Sequence, residues 1–276
     1  MSTIEYKDLL DAGCHFGHLT RKWNPKMASY IFMERNGIHI IDLNKTLAAL
    51  KDAAASLKSL VRSGKKVMFV ATKKQAKEIV AREATRLKMP YVTERWLGGM
   101  LTNFITIRKS LKKMQSIERM LKDENTVKYL PKKEVARLMR EKEKLAKVLG
   151  GVADQTRLPS ALFVVDVKRE AIAVQEARRL NIPVYAIVDT NSDPDLADFV
   201  IPANDDAYKS IHLITSYIGQ AIEEGIQERK RERDEQKLAE IEAEKREEDD
   251  EFDEEARKKR KRSKLLEEVA GNEDEE

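Results

Sequence analysis

Four short apolar runs recur along the chain: Lys66-Val67-Met68-Phe69-Val70-Ala71, Ala161-Leu162-Phe163-Val164-Val165, Pro183-Val184-Tyr185-Ala186-Ile187-Val188 and Phe199-Val200-Ile201-Pro202. They are nearly continuous in Val, Ile and Phe instead of alternating with polar residues, the pattern of strands covered on both faces. Pro90-Tyr91-Val92 is a weaker fifth strand. Between these runs, residues 44–63, 73–88 and 168–180 repeat apolar positions at helical spacing, and Pro90 and Pro183 each stop a helix just before a strand. This alternation predicts an α/β domain of three layers around an open, mostly parallel sheet.

One connection is too long for that plan. Roughly seventy residues separate the strands near 92 and 161, far more than a crossover requires. Ile107, Leu111, Met114, Ile117 and Leu121 recur at spacings of 4, 3, 3 and 4. Val135, Leu138, Leu145 and Leu149 continue a comparable stripe, with Lys142 at the missing position. Tyr129-Leu130-Pro131 is a natural reversal, Pro131 opening the second helix. Narrow seams and a short loop predict an inserted antiparallel coiled-coil hairpin, closed by Gly150-Gly151. Past Ala207, the stripe of Ile211, Ile214, Ile218, Ile222 and Ile226 docks a last helix on the sheet. The expected layout is an α/β domain from 1–103 and 151–227, the hairpin at 104–150, and a charged tail at 228–276 that is disordered or partly helical.

Charge sharpens this picture. Charged residues make up 36% of the 276, well above the ~25% of ordinary proteins, yet the formal net charge is only +4. The tail holds 14 Lys and Arg against 21 Asp and Glu, which leaves 38 against 27 in the first 227 residues. Residues 104–150 hold 14 against 6, so the hairpin carries most of the body's positive charge. A basic body fits a polyanionic partner such as nucleic acid, with a merely solvated surface or a dimerisation arm as the plain alternatives. In the tail, Glu247 to Glu255 is an acidic block, and Arg257 to Arg262 matches a nuclear localisation pattern that reads better as an RNA-facing patch or a solvated run. The lone Cys14 excludes an intramolecular disulfide and fits a reducing compartment. No apolar run approaches ~18 residues, and the N-terminus lacks a basic-then-apolar secretory pattern, so a cytoplasmic protein with no membrane partner is expected.

Two segments carry candidate chemistry. Arg95-Trp96-Leu97-Gly98-Gly99-Met100-Leu101-Thr102-Asn103 feeds directly into Arg108, Lys109, Lys112 and Lys113 on a helical pattern. A glycine turn with Trp, Arg and Asn leading to a basic helix suits a polyanion. Near the start, Arg21, Lys22 and Lys26 surround Trp23 and Asn24, cations interleaved with an aromatic that can pair with phosphate and stack on a base. Trp23 and Trp96 each read as core packing or as a stacking platform. His15 and His18 with Cys14 are weak metal ligands without a third partner, and adjacency does not make Cys14 a nucleophile. A nucleotide-binding enzyme would need spaced glycines after its first strand, but Thr72-Lys73-Lys74-Gln75-Ala76 has none. The Asp189 to Asp195 loop could bind a divalent ion in a nucleotide- or metal-dependent enzyme, though it reads first as an Asx turn capping a short helix after Pro194. Asp205-Asp206 after Asn204 likewise reads as a helix cap and first turn.

His15-Phe16-Gly17-His18, Trp23-Asn24-Pro25-Lys26-Met27, Ile38-His39-Ile40-Ile41-Asp42-Leu43, the 95–103 run, Ile187-Val188-Asp189-Thr190-Asn191 and Phe199-Val200-Ile201-Pro202 together resemble the bacterial small-subunit ribosomal protein S2 family, in order from residue 5 to about 226. The resemblance implies a flavodoxin-like domain with an inserted coiled-coil hairpin and no catalysis. It also implies binding to small-subunit ribosomal RNA on the solvent side near the head–body junction, and help in docking the large mRNA-binding ribosomal protein of OB repeats. Neighbouring small-subunit proteins would be partners, with no obligate homo-oligomer. No cofactor is required, but the family's link to a metal beside the first-motif histidines carries over here to His18, Asp189 and Asp205, with zinc or magnesium as the ion.

Overall fold

The computed structural model describes residues 4–123 and 128–238. Residues up to Gln227 belong to one compact unit and Glu228–Glu276 to a second. Of the second, residues 228–238 are helical and largely exposed; the acidic and basic blocks of the tail lie outside the described residues.

Strands β1 (Phe16–Leu19), β2 (Ile31–Arg35) and β3 (Ile38–Ile41) form a small antiparallel sheet in the order β1-β3-β2. The apolar pattern did not reveal this sheet, because its strands are short and half exposed and so lack a continuous apolar run. Strands β4 (Val67–Val70), β5 (Tyr91–Val92), β6 (Ala161–Val165), β7 (Val184–Val188) and β8 (Phe199–Pro202) form an all-parallel sheet in the order β5-β4-β6-β7-β8. Counted along the chain, that is 2-1-3-4-5, a common order of doubly wound sheets.

Helices α1 (Tyr6–Asp11), α2 (Leu43–Arg62), α3 (Lys74–Arg86), α4 (Phe104–Lys122), α5 (Lys132–Leu149) and α6 (Ala171–Arg179) are joined by α7, residues 208–227. Successive side chains of a strand point to opposite faces, and the core divides accordingly. Val67, Phe69, Phe163 and Ile187 pack with the apolar sides of α2, α3 and α7. Met68, Val70, Leu162 and Val164 pack with α6, the 96–101 segment and the first turns of α4. Helices therefore cover both faces, which is why these strands read as unbroken apolar runs. Ile211, Ile214, Ile218 and Ile222 are fully buried as expected, whereas Ile226 is 37% exposed, beyond the reach of the core.

Two local signals end helices where the prolines foretold. Lys88 and Asn181 adopt left-handed φ of 54° and 53°, turning the chain after α3 and α6 toward Pro90 and Pro183. The long connection is built from α4 and α5, which pack on each other. Pro131 stands one residue ahead of α5, at its N-cap. Ile107, Leu111 and Met114 of α4 and Leu149 of α5 belong to the sheet's own core, so the base of this helix pair is rooted in the α/β body. Farther out, Lys142 Nζ lies 3.5 Å from Glu118 and Lys113 pairs with Glu141 across the two helices.

Candidate nucleic-acid interface

Doubly wound sheets bind ligands outside the carboxyl ends of their strands, where the strand order reverses. Here that crevice lies beyond β4 and β6, and it is filled by the chain's own side chains. Lys73, just past β4, places Nζ 2.7 Å from Asp205, 2.5 Å from Asp206 and 3.5 Å from Asp166. The backbone N–H of Thr72, placed to meet a phosphate, donates instead to Glu170 at 2.7 Å, and its hydroxyl donates to the same oxygen at 2.6 Å. Burial, which alone would lower the Lys73 pKa, is outweighed by Asp205, Asp206 and Asp166, so the ammonium is held charged. Lys73 and Glu170 were not singled out in the sequence; a lysine in place of the phosphate-binding glycines was the available signal.

His18, from β1, closes the same edge. Its Nδ1 lies 3.0 Å from Asp189 Oδ2 and its Nε2 3.4 Å from Asp206. The bond to Asp189 raises the imidazole pKa despite partial burial, helped by the charges of Asp205 and Asp206. Asp205 is wholly buried; burial first, then the charges of Asp189 and Asp166, push its carboxyl up. Ligand atoms of His18, Asp189 and Asp205 all lie within 4.8 Å of one another, and Asp205 Oδ2 has no hydrogen-bond partner among the described residues. The Asx reading of the neighbouring loops holds: Asp193 caps the turn Pro194–Leu196, and Asn204 Oδ1 accepts from Asp206 and Ala207. Burial lifts the Cys14 thiol to about 11, so it is an inert core group.

The small sheet is latched to the large one through Thr190, which stands in the 187–191 run but whose latching role no pattern showed. Its hydroxyl accepts from His18 N–H at 2.8 Å and its carbonyl accepts from Asn24 N–H at 2.7 Å. Trp23, 38% exposed, rests against His39 at 5.0 Å between ring centroids, the rings tilted by 43°. Arg21 and Lys22 are exposed and have no ion-pair partner among the described residues. Lys26 is not free in this way: Asp193 and Asp195 hold it at 2.8 and 2.7 Å. Asn24 spends its side-chain oxygen on the N–H of Lys26.

The 95–103 run turns out to bind an anion of its own. Glu176, on the inward side of α6, accepts from Trp96 Nε1, from the N–H groups of Gly99, Leu101 and Thr102, and from the Thr102 hydroxyl, at 2.7–3.2 Å. Burial would raise its pKa, but these donors outweigh it and hold the carboxyl below its usual value. Trp96 is 7% exposed, so its packing alternative is the correct one. Gly99, at φ +88°, needs the freedom of glycine, whereas Gly98 has no positive φ and stands in open space. Arg95 is exposed beside this loop, and Asn103 precedes α4 with its side-chain oxygen accepting from Thr106. A lone Glu among Ala173, Val174 and Ala177 was the sequence signal for the anchor.

On α4, Arg108, Lys109 and Lys112 are exposed and unpaired among the described residues, while Lys113 is taken by Glu141. The sequence reading passed over a second set on α5: Lys133, Arg137, Arg140, Lys144 and Lys147 are all exposed. The structure thus brings Arg21, Lys22 and Trp23 into one turn. It places Arg95 and the α4 cations on separate elements.

Fold and site together define a Rossmann-like α/β protein whose ligand crevice is closed by its own ion pairs and whose unpaired cations lie on exposed turns and helices. The chain belongs to the ribosomal protein S2 family, whose members are structural and non-enzymatic; the family model described as ribosomal protein S2 matches residues 9–225. The "Small ribosomal subunit protein uS2" of Cytophaga hutchinsonii is 71% identical over 242 residues, covering 88% of this chain and 95% of that one. Those of Phocaeicola vulgatus and Bacteroides thetaiotaomicron are 61% and 60% identical over 239 residues, 87% of this chain and 85% and 86% of theirs. No described helix is long and apolar enough to cross a membrane.

Proposed function

We propose that the chain is a structural component of the small ribosomal subunit in the cytoplasm. In this reading it binds small-subunit ribosomal RNA near the head–body junction, neighbours other small-subunit proteins, and helps dock the large OB-repeat mRNA-binding ribosomal protein. Its fold is read as flavodoxin-like with an inserted antiparallel coiled-coil hairpin. The observation that carries the reading is the partition of charge: the crevice pairs its ions internally, while the exposed faces of the 20–23 turn and of α5 keep cations without partners among the described residues. Such groups supply the salt-sensitive, sequence-independent part of RNA affinity. Co-sedimentation with small subunits, followed by release in high salt, tests it; a chain that never co-sediments, or that stays bound regardless of salt, overturns it. Subunits lacking the chain should also lack the OB-repeat protein.

A divalent ion, zinc or magnesium, fits the same chain at His18, Asp189 and Asp205. The donor set, one imidazole and two carboxylates, and the unpartnered oxygen of Asp205 support it. Bound there, the ion would join β1 to the ends of β7 and β8. Thermal shift with zinc or magnesium should raise the melting temperature of the wild type and leave Asp205→Asn unmoved; equal behaviour of the two proteins would rule the site out.

A further inference from the structure

Resting on the RNA-binding reading above, the geometry points to the outward ridge of α5, and not to α4, as the hairpin face that lies on RNA, with the phosphate backbone of a duplex as its partner. Lys133, Arg137, Arg140, Lys144 and Lys147 follow one another at spacings of 4, 3, 4 and 3, one side of a helix. At 1.5 Å per residue the ridge is about 21 Å long, with a cation every ~5 Å. Among the described residues only Arg137 has an ion pair, a 2.9 Å contact with Glu134.

The acids of the helix pair are arranged to leave this ridge positive. Glu141 is drawn across to Lys113, and Glu118 is shared by Lys122 and Lys142. The exposed Glu143 stands about 80° around the helix from the ridge centre, at ~100° per residue. The matching row on α4, Arg108, Lys112, Gln115 and Arg119, is broken by a neutral residue and flanked by Ile105, which is 74% exposed.

The type of RNA follows from what the ridge lacks. Binding of single strands depends on aromatic platforms for stacking, and α5 contains no aromatic residue. A straight row of cations without aromatics instead matches duplex RNA, which proteins recognise by shape and through phosphate and 2′-hydroxyl contacts.

The test compares the full-length chain with two neutralised variants. The first carries Lys133→Gln, Arg140→Gln, Lys144→Gln and Lys147→Gln; the second carries Arg108→Gln, Lys109→Gln and Lys112→Gln. All seven positions are exposed, and Gln keeps helix propensity, so circular dichroism should show both folded. Binding is measured against salt on protein-free small-subunit ribosomal RNA, a blunt 24-base-pair RNA duplex and poly(U). The α5 variant should lose at least tenfold in affinity on ribosomal RNA and on the duplex, with a log–log salt slope shallower by about 3. The α4 variant should change less than threefold. If the α4 variant loses affinity and the α5 variant does not, the hairpin still binds RNA but the face is wrong. If neither loses affinity, the RNA role of the hairpin falls as well. A loss confined to poly(U) overturns the duplex assignment.

Discussion

Glu176 shows how one side chain can set the course of a whole segment. Its carboxylate gathers five donors from a loop, among them the buried N–H of Leu101 and the part-buried N–H groups of Gly99 and Thr102. In Glu176→Gln, one acceptor oxygen becomes an NH2 that faces N–H groups, and stability should fall by ~2–4 kcal/mol in urea unfolding. The sign of its pH dependence is fixed. With the folded pKa below an unfolded value of about 4.3, its contribution is complete above that value and is lost as pH falls through the lower one. The acid limb of the wild-type stability curve should therefore be steeper than that of Glu176→Gln. Gly17 is a second single-residue constraint: a Cβ there would lie 2.7 Å from Thr190 Cγ2 and 2.9 Å from the His39 carbonyl. Gly17→Ala should cost ~1–3 kcal/mol. Adding Thr190→Ala should not restore it in thermal melts, because the backbone clash remains. The contacts of Glu176 and Thr190 were not legible in the sequence, although Thr190 stands in a quoted run, since each acts on residues more than seventy positions away. The His18, Asp189 and Asp205 cluster was visible only through the family resemblance.

Among the elements, legibility followed burial. Strands β4, β6, β7 and β8 announced themselves because helices cover both of their faces, and α4 and α5 because their apolar residues keep helical spacing. Strands β1, β2 and β3 did not, since Phe16, Phe32 and Met33 are exposed and the alternation is lost. The helix pair is graded along its length. Leu111 belongs to the body's core, whereas Ile117, about two turns farther along α4, is buried outside that cluster. Leu111→Ala should lower global stability by ~2–5 kcal/mol. Ile117→Ala should leave the global value nearly unchanged and instead speed amide hydrogen exchange in the outer turns of α4 and α5. Equal global losses for the two would show that the pair unfolds only with the body.

At the scale of the molecule, the division of labour is electrostatic. Lys73 pairs with Asp166, Asp205 and Asp206 at the sheet edge, and the unpaired cations stand elsewhere. Ribosomal RNA binding should therefore weaken with salt at a log–log slope of −0.7 to −0.9 per neutralised phosphate. Isothermal titrations from 50 to 300 mM salt would measure it, and a flat response would contradict the charge partition. The loop around Glu176 also orders events in time. Seventy-four to eighty residues separate this anchor from the groups it binds, and chains emerge at roughly 5–20 residues per second. The helices of the 104–149 segment precede both Glu176 and the strands that complete their core and can begin to form from local contacts within microseconds, so their anchor is made after they have emerged. The direction of this basic segment is therefore set only when α6 arrives and Glu176 takes up its donors.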